Sequence, residues 1–168
     1  MKKINSLIGA IAVCLLANAN IYAETIHQTV KGEAAYTGEG GSALTKKQIE
    51  VKNVPDKGTV ARVVGSLNQW GYVNFWFGLP VPAGKSVLRF KVYVEDGETA
   101  EYGIYISNSA GDPIVTKLQI PADAPKNSVV TVDVPVDVPA EWGGFAFKKM
   151  VADNKPSIWI ESISAVLP

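Results

Sequence analysis

The chain has 168 residues, with 16 basic and 16 acidic side chains, one histidine and one cysteine. Its basic residues are scattered, which argues against nucleic-acid binding, since that normally requires a basic stripe. A single cysteine and a single histidine exclude zinc sites built on thiolate or imidazole clusters. A histidine-based catalytic triad has one candidate, His27.

The first 23 residues have the pattern of a secretory signal peptide. Lys2 and Lys3 form a positive start, and residues 7–16 form an apolar segment. That segment is too short to cross a bilayer, which requires about 20 residues. Small and polar residues follow, up to Ala23. The pattern predicts cleavage after Ala23.

This division makes residues 1–23 the signal peptide and residues 24–168 the folded domain. Cys14 follows Val13, where a lipidation motif requires a small residue, so we interpret Cys14 as part of the apolar segment. The domain then contains no cysteine and depends on its core alone, for which roughly 145 residues suffice. No second apolar run approaches membrane length. We expect a periplasmic or secreted protein without a membrane span.

Ten segments alternate apolar and polar residues with the period of two that is typical of strands. Turn residues such as Gly, Pro, Asn and Asp separate them. The predicted strands are 25–31, 47–52, 59–65, 70–77, 87–95, 102–107, 114–120, 128–134, 142–149 and 158–167. We see no convincing helical period. The pattern predicts an all-β, single-domain antiparallel β-sandwich of the jelly-roll type with about nine or ten strands.

The predicted strands differ in how clearly they divide into two faces. In 87–95 the core face is aliphatic and aromatic, and the outer face carries Arg89, Lys91 and Tyr93. Segment 47–52 is short and charged, which predicts a position at a sheet edge. Between residues 128–134 and the next strand, the chain contains two prolines that predict an irregular connection.

The strand at 70–77 is apolar on both faces. One face carries Trp70, Tyr72, Asn74 and Trp76, and the other carries Val73, Phe75 and Phe77. Large aromatic side chains commonly complete a core, and they also form ligand platforms. Trp70 and Trp76 therefore have two open interpretations, as core residues or as part of a binding face.

The order of the segments from residue 69 to residue 167 carries a resemblance to known domains. It runs through P-A-G-K-S-V-L-R-F-K-V-Y-V, then Y-G-I-Y-I, W-G-G-F-A-F-K and the closing I-W-I-E-S-I. This order resembles the galactose-binding-like and carbohydrate-binding-module jelly rolls. The resemblance implies a β-sandwich and a non-catalytic binding role. The last strand has Glu161 where those domains often have Asp, and no run of Asp and Asn supports a structural Ca²⁺. No other cofactor is predicted.

The outer residues of four predicted strands define a candidate binding face, on the condition that the strands share a sheet. They are Trp70, Tyr72, Asn74, Trp76, Arg89, Lys91, Tyr93, Tyr105, Trp159 and Glu161. Sugar rings stack on flat aromatic side chains, and Asn, Arg, Lys and Glu supply directed hydrogen bonds to hydroxyls. A solvated strand face is the competing interpretation of Arg89, Lys91, Tyr93 and Glu95, and the pattern of these residues favours it over a binding site.

Three classes of function remain open from the sequence. The first is a secreted, non-catalytic binding module for a carbohydrate, and the second is a structural or protein-interaction module with an extracellular partner. The third is a glycosidase, for which a pair of carboxylates is required. The available glutamates are Glu95, Glu101, Glu141 and Glu161. Their spacing pairs no two of them, so we predict no catalytic residue and no metal ligand.

Overall fold

Two antiparallel sheets make up the protein in a computed structural model that describes residues 24–32, 49–63, 72–95, 101–106, 116–149 and 158–168. The strands are β1 (Thr25–Lys31), β2 (Ile49–Val54), β3 (Gly58–Val63), β4 (Tyr72–Val81), β5 (Gly84–Val94), β6 (Glu101–Ile106), β7 (Thr116–Gln119), β8 (Ser128–Val138), β9 (Trp142–Lys149) and β10 (Trp159–Leu167). The described residues contain no helix, and hence none that could span a membrane. The predicted all-β sandwich is confirmed.

The six-stranded sheet has the order β2-β3-β10-β5-β8, with β1 also paired to β10. β10 pairs with β5 along one side, and its other side is shared by β3 at Ile160 and by β1 from Ser162 onward. Gly32 lies where β1 gives way to β3, with a φ of 32° and its N–H donated to the Glu161 carbonyl at 2.8 Å. Side chains of L-residues rarely adopt a φ of this sign, so the backbone conformation favours glycine at this position.

The four-stranded sheet has the order β4-β9-β6-β7 and packs against the six-stranded sheet. The space between the sheets holds the main core, as the alternation along β5 predicted. Fully buried members include Leu88, Phe90, Val92, Tyr102, Ile104, Phe145, Ile160 and Ile163. Each fully buried side chain of this size contributes about 1.5–3 kcal/mol relative to exposure.

Two proline-containing segments are strands, against our prediction. β4 continues through Pro80 to Val81, where the pairing with β9 shifts register. β8 continues through Pro135 to Val138. β8 is an outer strand of its sheet in the described part of the chain, so a proline there need not interrupt a ladder. The prediction that the charged segment 47–52 lies at a sheet edge is confirmed by the position of β2.

Candidate functional site

Nine of the ten candidate residues lie in the described part of the chain, and they belong to strands of both sheets, so the condition of a shared sheet is not met. The six-stranded sheet carries Arg89, Lys91, Tyr93, Trp159 and Glu161. The four-stranded sheet carries Tyr72, Asn74, Trp76 and Tyr105. Trp70 lies outside the described residues, and β4 is described by its backbone alone from position 72 to position 76. Two separate faces therefore replace the single face of the prediction.

Trp159 and Tyr93 are neighbours across β10 and β5 on the outer face of the six-stranded sheet. Both are buried, with 1% and 4% of their surface exposed. They form a small second core with Val54 of β2 and Val60 of β3, against which Val129 packs. The prediction that Trp159 points away from the main core is right. The prediction that it is exposed is wrong, because other side chains cover it.

Charged side chains form much of that cover. The Arg62 guanidinium carbon lies 4.2 Å from the centre of the Trp159 ring. The Lys52 Nζ lies 5.7 Å from the same ring and 5.5 Å from the Tyr93 ring. Glu95 completes the cluster, since its carboxylate accepts a hydrogen bond from the Trp159 indole N–H at 2.9 Å and pairs with Lys52. A sugar ring would have to displace these cations to stack on Trp159.

The pKa values of this cluster move in the directions that ion pairing predicts. The hydrogen bond from Lys52, and then that from Trp159, lowers the pKa of the Glu95 carboxyl. The hydrogen bond to Glu95 raises the pKa of the Lys52 ammonium group. Arg62 adds a hydrogen bond to Glu50 at 2.9 Å. The charges over Trp159 therefore neutralise one another and bind the covering side chains together.

Arg89 is similarly occupied. Its Nε and Nη2 donate to the two carboxylate oxygens of Asp133 at 2.7 and 2.6 Å, and Nη2 also lies 2.9 Å from the Glu24 carboxylate. This two-pronged geometry lowers the pKa of the Asp133 carboxyl and raises the pKa of the guanidinium. Arg89 supports the sheet surface and is not held ready for a ligand hydroxyl.

We expect stability to fall in acid through Glu95 and Asp133. Both carboxyl groups have pKa values lowered from ordinary values of 4.5 and 3.8. The unfolded chain takes up these protons first, so the stabilisation is complete above the ordinary pKa values and is lost as pH falls through the lowered folded ones. Urea unfolding between about pH 6 and pH 2 measures this loss.

The matched variants for this titration are Glu95→Gln and Glu141→Gln. Glu95→Gln should flatten the decline in unfolding free energy, because the charge paired with Lys52 is gone. Glu141 is exposed and has no ion pair in the described part of the chain, so its variant should follow the wild type. Identical pH profiles for all three proteins would contradict the role assigned to Glu95.

Glu161 is the extra residue of a β-bulge in β10, and Lys91 lies beside this bulge on β5. Ile160 pairs with Val92 and Ser162 pairs with Lys91, which leaves Glu161 without a position opposite it on β5. The Glu161 carboxylate is half-buried and accepts a hydrogen bond from the Ser162 hydroxyl. Lys91 is exposed. The two candidate aromatic residues that the structure describes on this face, Tyr93 and Trp159, are buried, so they offer Lys91 and Glu161 no exposed aromatic neighbour.

The outer face of the four-stranded sheet is arranged differently. The register places Tyr72 opposite Lys148, Asn74 opposite Ala146 and Trp76 opposite Gly144. Ala146 is in turn opposite Tyr105 of β6. Phe77 is buried in the main core, so alternation assigns positions 72, 74 and 76 to the other face of β4. The aromatic row of β4 thus borders small residues of β9.

Tyr105 corrects our expectation of an exposed side chain. It is 8% exposed, while its neighbour Ile104 is fully buried in the main core. Ala146 beside it is 2% exposed, and Gly144 is also buried. The central strands of this face are therefore largely covered, and the aromatic row at 72, 74 and 76 lies on β4 at the side of the sheet.

The described residues contain no group of three or more His, Cys, Asp or Glu side chains that could hold a metal ion. Of the four glutamates considered for acid-base chemistry, Glu95 is committed to Lys52 and Trp159. Sequence analysis missed Lys52 and Arg62 as the cover of Trp159. The sequence pattern shows charged residues on β2 and β3, but it does not show which strand they lie beside. β3 pairs with β10 and β2 pairs with β3, and these pairings bring Lys52 and Arg62 to Trp159.

No protein-family model matches the sequence, and no curated protein matches it significantly. Solved structures do match. One is a carbohydrate-binding module from Cellvibrio mixtus lichenase 5A in complex with cellotriose, with a TM-score of 0.56 and 15% identity over 86% of this chain and 99% of that chain. Another is the C-terminal CBM6 of LamC, a marine laminarinase from Zobellia galactanivorans, with a TM-score of 0.52 and 16% identity over 82% and 98%. The chain therefore shares the β-sandwich fold of these carbohydrate-binding modules, as the order of its segments predicted.

Proposed function

We propose that the protein is an exported, non-catalytic module that binds a glycan at the aromatic row of β4. We define the aromatic row as Tyr72, Asn74 and Trp76 on the outer face of the four-stranded sheet. The observation that carries the proposal is the register of β4 with β9. It sets Asn74 opposite Ala146 and Trp76 opposite Gly144, two small residues, and Tyr72 opposite Lys148.

The chemistry of the row suits a sugar. Tyr72 and Trp76 are four residues apart along the strand, so their positions are about 13 Å apart, a distance that more than one pyranose ring spans. The amide of Asn74 between them can donate to and accept from sugar hydroxyls. Apolar area with one or two directed polar groups is the usual composition of a small-molecule site.

The six-stranded sheet supports the same choice by elimination. Its outer face has two aromatic residues from the predicted set, Tyr93 and Trp159, and both are buried under Lys52, Arg62 and their partners. A ligand there would break several ion pairs before it met an aromatic ring. Lys52 and Arg62 lie on the sheet opposite to that of the aromatic row.

Export rests on the pattern of residues 1–23. The positive start, the short apolar segment and the small residues before Glu24 support removal of a signal peptide. A cysteine-free domain is compatible with an oxidising compartment, because it has no thiol to protect. Mass measurement of the protein recovered from outside the cytoplasm tests this part, with a chain beginning at Glu24 as the expected result.

The binding proposal is tested with the purified protein on an array of diverse glycans, followed by titration of any hit. Trp76→Ala should weaken the measured affinity by about 30-fold, the effect of losing an aromatic anchor worth about 2 kcal/mol. Val51→Ala is the matched control, since Val51 is an apolar residue 47% exposed on β2 of the other sheet. It should bind as the wild type does.

Two outcomes would contradict the proposal. Wild-type protein that binds none of the glycans would move the function to a structural or protein-interaction module. Binding that survives Trp76→Ala, with both variants folded by circular dichroism, would remove the ligand from the aromatic row.

A further inference from the structure

β1 holds the end of β4 through side chains where backbone pairing is interrupted. β4 pairs with β9 from Tyr72 to Trp76, and the register then shifts before Val81. Leu79 lies in this interval, and Pro80 after it has no backbone N–H to donate. The partners of Leu79 come from β1, a strand of the other sheet.

Gln28 supplies both of those partners. Its Oε1 accepts a hydrogen bond from the Leu79 N–H at 2.7 Å, and its Nε2 donates to the Leu79 carbonyl oxygen. A side-chain amide carries one acceptor and a donor group side by side, as a peptide unit of a neighbouring strand does. The Gln28 amide therefore makes the two hydrogen bonds with Leu79 that the backbone of a neighbouring strand would otherwise make. Gly78 lies next to this contact, and a Cβ there would be in ordinary van der Waals contact with the Gln28 Oε1, at 3.6 Å.

The backbone of β1 explains why two consecutive side chains reach β4. Pairing with β10 shifts between Ile26 and Gln28, so His27 is the extra residue of a β-bulge. The His27 Nε2 donates to the Pro80 carbonyl oxygen at 3.0 Å, next to the Gln28 contacts. β1 is itself fixed beyond the bulge by its pairing with β10, where Thr29 and Ser164 also share a hydrogen bond of 2.8 Å.

We infer that Gln28 is a positioning residue for the aromatic row: its amide fixes the second half of β4 and so sets where Trp76 lies. Leu79 is three residues from Trp76 on the same strand, and Phe77 and Val81 are anchored in the core on either side of it. The strand between these anchors is positioned from outside by Gln28 and His27. The inference rests on the proposed function for its biological meaning, and its structural content is tested without a glycan.

The test compares Gln28→Met with Gln119→Met in the purified, isotope-labelled protein. Methionine keeps the length of glutamine and removes both hydrogen bonds. Gln119 is an exposed residue of β7 with no side-chain hydrogen bond in the described part of the chain. Gln119→Met therefore makes the same substitution without removing a hydrogen bond of that kind. Hydrogen exchange of the Leu79 amide and the indole resonance of Trp76 are the readouts.

In Gln28→Met, the Leu79 amide should exchange about tenfold faster, the effect of losing one net hydrogen bond. The Trp76 indole resonance should shift, while amides of β5 and β10 keep their exchange rates. Gln28→Glu retains an acceptor for the Leu79 N–H and should show a smaller increase. Gln119→Met should match the wild type in both readouts.

Unchanged Leu79 exchange, or an unshifted Trp76 indole, would overturn the inference. A general rise in exchange over all strands would also overturn it, since that would make Gln28 a residue of global stability. If the wild type binds no glycan but both local changes occur, the proposed function fails and the positioning role of Gln28 stands. If glycans bind, Gln28→Met should weaken that binding several-fold relative to Gln119→Met.

Discussion

Replacing Trp159 by alanine is expected to lower the free energy of unfolding by about 3–5 kcal/mol, the usual cost of truncating a buried aromatic residue. The ring is 1% exposed and forms the second core with Tyr93, Val54 and Val60. Its removal also deprives Arg62 of the surface on which it lies, at 4.2 Å. Urea unfolding followed by circular dichroism measures the loss.

Trp159→Phe is the matched control for this prediction. Phenylalanine keeps an apolar ring in the second core and loses the indole N–H that donates to Glu95. It should cost less than the alanine variant, because most of the buried apolar area remains. A loss below about 1 kcal/mol in Trp159→Ala, the size expected for many surface changes, would contradict the buried position.

This result bears on how binding experiments at Trp159 are interpreted. A Trp159→Ala variant that lost glycan binding would most simply have lost part of its fold. Trp76 is the informative position, because it belongs to the aromatic row on the opposite sheet. We therefore expect stability to depend on Trp159 and glycan binding to depend on Trp76, so the two tryptophans are best replaced in separate variants.

The alternation of residues was sufficient to predict which way most strands face. Leu88, Phe90 and Val92 lie in the main core, and Trp159 points away from Ile160, as a period of two requires. Alternation does not tell whether an outward residue meets water. Trp159 is covered by Arg62 and Lys52, which are about 100 residues away in sequence.

Local sequence patterns also did not predict which strands belong to the same sheet. β4 and β5 are consecutive and joined by a short turn, yet they belong to different sheets. The candidate face combined both because adjacent strands in sequence often pair. The sheet to which each strand belongs is determined by pairings between strands distant in sequence, such as β5 with β10 and β4 with β9.

The contact of Gln28 with Leu79 had no local signal either. Gln28 lies in a weakly alternating segment, and its role depends on a bulge in β1 and a register shift in β4. Both irregularities are properties of strand pairs. The pattern within one segment predicts a strand well. It predicts a bulge or a register shift poorly, because these depend on how the segment pairs with a partner strand that is distant in sequence.

Tyr102→Phe is the second large effect we expect, with a loss of about 1–3 kcal/mol in the free energy of unfolding. Tyr102 is fully buried on β6, and its hydroxyl oxygen accepts a hydrogen bond from the Ile158 N–H at 3.0 Å. Ile158 is 1% exposed and lies directly before β10. This hydrogen bond therefore joins the two sheets inside the core, where water cannot readily replace the lost acceptor.

Tyr93→Phe provides the comparison. Its hydroxyl donates to the Oδ1 of Asn127 at 3.2 Å, and Asn127 is exposed, so water can take the place of the missing hydroxyl. Thermal and urea unfolding should both show a smaller loss for Tyr93→Phe than for Tyr102→Phe. Equal losses would mean that burial of the Ile158 N–H does not matter. A stable Tyr102→Phe would mean that the hydrogen bond from Ile158 contributes little to holding the two sheets together.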